Sequence, residues 1–85
     1  MNALPKAGPA IALRPDLAHI AEMIPPSTRV LDIGCGDGAL LEYLVRVKGV
    51  DGRGLELSQH NVNQCVARGL SVVQGDADTD LTEYP

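Results

Sequence analysis

The residues of this sequence best suited to bind a ligand are a glycine-rich turn and the acidic residues around it. Glycines at positions 34, 36 and 38 follow Asp32, and such a turn lets a ligand approach the backbone because glycine has no side chain. Glu56 comes after Gly34 at the spacing of about 20 residues that is typical of an acid that binds ribose. A carboxylate there can accept hydrogen bonds from both ribose hydroxyls, and Asp76 could accept one from an adenine amino group.

The charge of the turn favours one class of adenosine ligand over another. The segment from Gly34 to Ala39 fits the dinucleotide-binding pattern GxGxxG only with alanine in the third place. A pyrophosphate bound there would be repelled by Asp32 and Asp37. S-adenosylmethionine has a sulfonium and an ammonium but no phosphate, so it suits an acidic turn better than the alternative, a nicotinamide cofactor. Asp32 could hold the turn through backbone N–H groups or contact a cationic group of the ligand.

Composition and charge limit the class of protein. The 85 residues are 45% hydrophobic with two Tyr and neither Phe nor Trp, so one small domain must build its core from aliphatic side chains. The net charge of −4 argues against nucleic acid or an anionic membrane as a partner. We find no secretory signal and no apolar run near the roughly 20 residues of a membrane helix. The two Cys have no CxxC spacing, which argues against a disulfide scaffold. Together these features predict a cytoplasmic protein.

Helical and strand patterns alternate after a short N-terminal segment. Residues 1–13, rich in Pro, Ala and Gly, are interpreted as a flexible arm, and residues 14–85 as the folded domain. A first helix is predicted to begin at Pro15 or Asp16 and to stop before Pro25. Its apolar face comprises Leu17, Ile20, Ala21 and Ile24. We then predict three strands, at residues 30–33, 53–57 and 71–74, with a helix between each pair. The first of these helices ends at Lys48. The second is capped by Ser58, and its apolar face comprises Val62, Cys65 and Val66.

This order predicts an α/β fold with parallel strands in spatial order 3-2-1 and flanking helices. Right-handed crossovers place the second strand beside the first and the third outside the second. The arrangement is one half of a doubly wound sheet, and it collects Asp32, Glu56 and Asp76 at the carboxyl ends of the strands, where ligands bind. The first strand would then be a bare edge. We therefore expect either a missing C-terminal half or a partner that covers that edge.

The stretch Val30–Gly38 resembles motif I of class I S-adenosylmethionine-dependent methyltransferases, with Glu56 and Gly75-Asp76 at their two later strand-end positions. The wider pattern resembles the methionine biosynthesis protein MetW family. The segments that carry this second resemblance are Arg14-Pro15-Asp16-Leu17, Ile24-Pro25-Pro26, Lys48-Gly49-Val50, Gly54-Leu55-Glu56-Leu57, Asn61-Val62, Ala67-Arg68-Gly69 and Val73-Gln74-Gly75-Asp76. The expected fold is thus the N-terminal half of a Rossmann-like methyltransferase domain.

The resemblance implies a set of roles around S-adenosylmethionine as cofactor. Gly34, Cys35 and Gly36 would line its methionine end with Asp32 behind them, and Glu56 would bind the ribose. The adenine would pack on Leu57 and meet Asp76 and Ala77 at its edge. No metal site is expected, because Leu81 stands where a calcium loop beginning at Asp76 would need glycine.

The family resemblance implies a role in methionine biosynthesis together with homoserine O-acetyltransferase. Two functions follow as hypotheses. In one, the full-length protein is a methyltransferase that acts on an acceptor the sequence does not identify. In the other, the protein is a non-catalytic partner or regulator of the acetyltransferase. The catalytic residues are not assigned by either, and Cys35 is interpreted as a small residue lining the turn rather than a nucleophile.

Overall fold

The computed structural model describes residues 13–80, which form an α/β fold of three strands and four helices. In chain order these are α1 (Pro15–Met23), β1 (Arg29–Ile33), α2 (Ala39–Lys48), β2 (Asp51–Glu56), α3 (Gln59–Ala67), β3 (Val72–Gln74) and the single turn α4 (Ala77–Asp80). Residues 1–12 of the predicted N-terminal arm lie outside the described residues, whereas Leu13, its last residue, packs against the core beside Ala21. Within those residues, no helix has the length and apolarity needed to cross a membrane.

The strands pair in parallel in the order β1-β2-β3, which confirms the predicted 3-2-1 arrangement. Strand β2 is central: its Gly52 lies opposite Val30 of β1, and its Leu55 lies opposite Val73 of β3. In the described part of the chain, the other side of β1 is an edge without a strand partner. That edge agrees with the bare first strand expected from the sequence.

The second strand begins and ends earlier than predicted. Asp51, which lies before the predicted strand 53–57, pairs with Arg29 at the start of the sheet. At the other end the strand stops at Glu56, so Leu57 lies outside it. The Asp-Gly pair at its start is typical of a turn. Only its pairing with β1 holds it in an extended backbone conformation.

The helix termini follow the residue types in the sequence. Helix α1 starts at Pro15, whose fixed φ suits the first helical position, and Arg14 is its N-cap. Helix α2 ends at Gly49, which adopts a left-handed φ of 65°. Helix α3 is capped as predicted by Ser58, whose side chain accepts a hydrogen bond from the Asn61 backbone at 3.3 Å.

The core consists of two aliphatic clusters on either side of α2. One joins Cys35, Leu41, Cys65 and Leu70, and the other joins Ala21, Leu44 and Val50. Two side chains that we assigned to apolar helix faces are instead exposed, Ile20 at 41% and Val66 at 57%. Ile20 borders a cavity beside the glycine turn, which explains its exposure. We see no structural reason for the exposure of Val66.

Glycines in β2 allow α2 to pack closely on the sheet. A Cβ atom at Gly54 would lie 2.7 Å from the Cys35 sulfur and 2.8 Å from a Val72 methyl group. A Cβ atom at Gly52 would lie 2.8 Å from a methyl group of Leu41. These glycines weaken the intrinsic strand preference of β2, and they bring the glycine turn and α2 onto the sheet.

Gly38 provides a test of how tightly the turn is packed. Its φ of 91° is left-handed, and an added Cβ would lie 2.8 Å from Leu70 and 2.9 Å from the Cys65 sulfur. We expect Gly38→Ala to lower the free energy of unfolding in urea by about 2–4 kcal/mol, from backbone strain and overpacking together. Gly69→Ala is the matched control, because Gly69 has φ 83° and open space around it. The control should cost only about 1 kcal/mol, and equal losses would contradict the packing described here.

Candidate functional site

The carboxyl ends of the three strands and the glycine turn meet at one edge of the sheet. The Gly34 N–H donates to the Leu55 carbonyl at 2.7 Å, which carries the chain from β1 into the turn alongside β2. The Gly75 N–H donates to the Glu56 carbonyl at 3.0 Å, which holds the segment after β3 beside the end of β2. The predicted strand-end acids are thus gathered at one edge.

Glu56 is an anchor for both the turn and the start of α3. Its Oε1 accepts from the Gly36 N–H at 2.8 Å, and its Oε2 accepts from the Ser58 N–H at 3.0 Å and from the Asn61 side chain at 3.3 Å. The residue is only 7% exposed. Hydrogen bonds from the Ser58 and Gly36 backbones lower the pKa of the Glu56 carboxyl, so it is held as a carboxylate. From the sequence, Asp32 was a candidate to hold the turn through backbone N–H groups. In the structure Glu56 does so instead.

Asp32 has a different environment. It is half-buried in β1, and its carboxylate makes no hydrogen bond or ion pair with any residue between 13 and 80. Burial, and then the negative charge of Glu56, raises the pKa of Asp32. A buried carboxylate without a protein partner is costly, and a bound cation would relieve that cost.

Two cavities open on the glycine turn, and the Gly34 backbone borders both. The first, which we term the strand-end cavity, measures about 230 Å³, and among its lining residues are Ile33, Leu55, Leu57, Asp76, Ala77 and Asp78. The second, the helix-side cavity, measures about 330 Å³, and it is bordered by Gly34, Cys35 and Gly36 together with Arg14, Leu17, Ile20, Asp32, Asp37 and Leu40. A ligand that spans Gly34 would therefore reach both.

The predicted site residues are distributed between these cavities as two groups. Leu57, Asp76 and Ala77 lie together in the strand-end cavity. Asp32 lies with the turn in the helix-side cavity. Glu56 lines neither cavity, although it holds the turn that separates them. The arrangement provides one mainly apolar compartment with an acidic rim and a second compartment that contains a half-buried carboxylate.

Asp37 does not contribute to the acidity of the turn in the way the sequence suggests. Its Oδ1 accepts from the Ala39 N–H at 3.1 Å, and its Oδ2 lies 3.6 Å from a guanidinium nitrogen of Arg68. Arg68 also contacts Glu42 of α2 at 2.6 Å. Since Arg68 lies beside Asp37, Asp32 is the main uncompensated carboxylate of the helix-side cavity, and the expectation for Asp37 needs this correction.

The two cysteines pack beneath the turn. Their sulfur atoms are 3.9 Å apart, both residues are buried, and the Cys65 thiol donates to the Gly36 carbonyl at 3.3 Å. Burial, with the neighbouring Cys65, raises the pKa of Cys35 to about 12. A thiol with so high a pKa is a poor nucleophile, which agrees with the interpretation of Cys35 as a small residue of the turn.

Sequence reasoning missed three residues that shape this edge. Asn61 and Arg68 come from α3 and its C-cap, and each holds an acid that belongs to another element. Arg14 lines the helix-side cavity from the start of α1. For Asn61 a signal existed, since it sits one turn into a helix that starts directly after Glu56. No local pattern marks Arg68. Among the described residues, no three His, Cys, Asp or Glu side chains are grouped to hold a metal ion.

Comparisons with known proteins place this geometry in a family. The family model described as Methionine biosynthesis protein MetW matches residues 14–85. A bifunctional methionine biosynthesis protein MetXA/MetW from Rhodopirellula baltica is 32% identical over 82 residues, which covers 87% of this chain and 13% of that protein.

Solved structures with the same fold include two enzymes in complex with S-adenosyl-L-homocysteine. The SAM-dependent methyltransferase from Thiobacillus denitrificans is 31% identical with a TM-score of 0.65, covering 75% of this chain and 30% of that one. The one from Geobacter sulfurreducens is 32% identical with a TM-score of 0.64, covering 76% of this chain and 30% of that one. The chain thus spans less than a third of the length of these relatives.

The role of Glu56 predicts a pH-dependent stability. We expect Glu56→Gln to lower the free energy of unfolding at pH 7 by roughly 1–3 kcal/mol, because an amide cannot accept from all three donors. The folded-state pKa of Glu56 lies below its ordinary value of 4.5. Its contribution is therefore present above pH 4.5 and is lost as the pH falls through the folded-state value.

Urea unfolding at a series of pH values measures this difference between wild type and Glu56→Gln. Glu22→Gln is the control, because the Glu22 side chain is 79% exposed and its loss should leave stability nearly unchanged at every pH. If Glu56→Gln matched the wild type at pH 7, the anchoring role would be wrong.

Proposed function

Because the chain belongs to the MetW family of methionine biosynthesis proteins and has the Rossmann-like fold of class I methyltransferases, we propose that it binds S-adenosylmethionine across its two cavities. The observation that carries this proposal is the Asp32 carboxylate, half-buried in the helix-side cavity without a partner among residues 13–80. That cavity and the strand-end cavity are both bordered by Gly34. A ligand with a cationic end and an adenosine end needs two such adjacent cavities.

The adenosine end fits the strand-end cavity. Leu57 is 68% exposed beside it and offers an apolar surface for the adenine ring. Asp76 and Ala77 line the same cavity, where a carboxylate can accept from the adenine amino group. The similarity to two methyltransferases solved in complex with S-adenosyl-L-homocysteine supports a ligand of this kind.

The methionine end fits the helix-side cavity. Asp32 would receive the ammonium group there, and the cation would replace the solvation that burial removes from the carboxylate. The Gly34–Gly36 backbone would lie against the chain that joins the ammonium to the sulfonium. A pyrophosphate in this cavity would lie beside the carboxylates of Asp32 and Asp37, which disfavours the nicotinamide alternative.

Glu56 is proposed to bind the ribose while it anchors the turn. Its Oε1 accepts one hydrogen bond, from Gly36, and a carboxylate oxygen can accept two. The second acceptor site of Oε1 would be available to a ribose hydroxyl. The same carboxylate would then connect the ribose to the turn that carries the methionine end.

For the whole protein we propose a methyltransferase-like role in methionine biosynthesis. S-adenosylmethionine supplies an electrophilic methyl group, which an acceptor nucleophile takes by direct displacement while S-adenosylhomocysteine leaves. Positioning dominates such a step, so residues 13–80 need only bind and orient the cofactor. No acceptor is assigned.

Calorimetric titration with S-adenosylhomocysteine and with NAD tests the cofactor proposal. We expect binding of S-adenosylhomocysteine and little binding of NAD, because the half-buried Asp32 favours a cationic end over a pyrophosphate. Preference for NAD, or binding of neither ligand, would overturn the proposal.

Asp32→Asn separates ligand binding from stability. The ionised side chain is disfavoured in the folded protein, since its pKa is raised, and that cost is present at pH values above the raised pKa. At pH 7 the variant should therefore melt at a higher temperature without ligand, yet bind S-adenosylhomocysteine about tenfold more weakly through loss of an ion pair. Asp51→Asn, on an exposed acid at the other end of β2, is the control for affinity. Unchanged affinity in Asp32→Asn would contradict the ammonium assignment.

A second candidate function is a complex with homoserine O-acetyltransferase. The observation that favours it is the Rhodopirellula baltica relative, a bifunctional MetXA/MetW protein of which this chain covers 13%. Linking two activities in one chain places them at high effective concentration, which is of use when the two parts cooperate.

Co-purification from cells that produce both proteins tests this candidate. We expect the tagged chain to retain the acetyltransferase, and we expect Asp32→Asn to retain it equally, because docking does not require the cofactor site. Absence of the acetyltransferase from the purified sample would remove the candidate. Retention that is lost with Asp32→Asn would instead tie the complex to cofactor binding.

A further inference from the structure

Gly36, at the centre of the glycine turn, is held from two sides. Its N–H donates to Glu56 Oε1 at 2.8 Å, and its carbonyl accepts from the Cys65 thiol at 3.3 Å. Glu56 belongs to β2 and Cys65 to α3, so two elements outside the turn fix this one residue. Glu56 has a place in the proposed cofactor site, whereas Cys65 has none.

The Cys65 thiol fixes the peptide group that joins Gly36 to Asp37. Among residues 13–80, it makes the only hydrogen bond to that peptide. Gly36 has a left-handed φ of 60° and no Cβ, so no side chain of its own restricts the rotation of the peptide. Because C=O and N–H point in opposite directions in a trans peptide, the contact directs the Asp37 N–H away from Cys65.

This peptide forms part of the wall of the helix-side cavity. Gly36 and Asp37 both border that cavity, and neither borders the strand-end cavity. The orientation of the peptide therefore decides which polar backbone group the wall of the helix-side cavity presents to a ligand. Glu56 holds the preceding peptide, through the Gly36 N–H, and Cys65 does not contact it.

The side chain of Cys65 is itself fixed in place. It is fully buried in the core cluster with Leu41 and Leu70. Its sulfur lies 3.9 Å from the Cys35 sulfur, and since its own hydrogen goes to Gly36, Cys35 supplies the hydrogen between the two sulfurs. Burial raises the pKa of both thiols, so both keep their protons at neutral pH. A chain of donors thus leads from Cys35 through Cys65 to the turn.

We propose that Cys65 is a positioning residue for the cofactor, an inference that rests on the proposed function. Its thiol holds the Gly36–Asp37 peptide in the orientation in which the wall of the helix-side cavity receives the methionine end of S-adenosylmethionine. The adenosine end is assigned to the strand-end cavity and to Glu56, which do not depend on this peptide. Loss of the donor therefore weakens only ligands that have the methionine end.

The test compares S-adenosylhomocysteine with 5′-methylthioadenosine, which has the adenosine but lacks the amino acid end. We expect Cys65→Ala to weaken S-adenosylhomocysteine about fivefold in calorimetry, the effect of one lost hydrogen bond, and to change 5′-methylthioadenosine less than about twofold. Cys65→Ser keeps a donor, and we expect it to bind both ligands within about twofold of the wild type. Val62→Ala is the matched control, a buried truncation on α3 that removes no donor and should leave both affinities unchanged.

A second measurement observes the peptide without a ligand. The Asp37 amide belongs to the peptide whose carbonyl accepts from Cys65. In ¹H–¹⁵N magnetic resonance spectra of the ligand-free protein, we expect the Asp37 resonance to move in Cys65→Ala and to stay near its wild-type position in Cys65→Ser. An unmoved resonance in Cys65→Ala would show that the thiol does not orient the peptide.

Three calorimetric results would also overturn the assignment. Wild-type affinity for S-adenosylhomocysteine in Cys65→Ala would show that the donor is not needed. Equal weakening in Cys65→Ser and Cys65→Ala would show that packing, and not the hydrogen bond, is what matters. Equal weakening of both ligands in Cys65→Ala would indicate a general disturbance of the fold. Failure of the proposed function is distinguishable, because the wild-type protein would then bind neither ligand.

Discussion

The hydrogen bonds to the Glu56 carboxylate are the interaction on which the rest of this edge depends. A buried charge is costly unless it is fully hydrogen-bonded, and Glu56 receives donors from the glycine turn, from Ser58 and from Asn61. Three elements are thereby fixed around one charged group: the end of β2, the turn after β1 and the first turn of α3. The two cavities have their shapes because this carboxylate holds the turn that separates them.

The acids near the turn divide into those that stabilise the fold and one that does not. Asp37 is compensated by Arg68 and the Ala39 N–H, and Glu56 is compensated by its three donors. Asp32 has a raised pKa and no such compensation among residues 13–80. Such an unfavourable charge is typical of a binding site, where stability is given up in favour of a ligand. In the helix-side cavity, the electrostatic preference for a cationic group therefore depends mainly on Asp32.

The family and the fold place these residues in a larger context. In doubly wound sheets a further strand pairs with the free side of the first, and β1 presents such an edge in the described part of the chain. The solved relatives with bound S-adenosylhomocysteine are about three times longer than the matched region. What residues 13–80 supply is the edge of the sheet at which we propose that the cofactor binds.

The sequence by itself determined the order of the elements, the parallel 3-2-1 sheet and the collection of Asp32, Glu56 and Asp76 at one edge, because periodicity, prolines and glycines act locally. It misplaced the start of β2, since Asp51 becomes extended only by pairing with β1. Only the tertiary structure decided which acids are compensated. Arg68 reaches Asp37 because α3 packs against the turn, and no local pattern in the sequence encodes that contact.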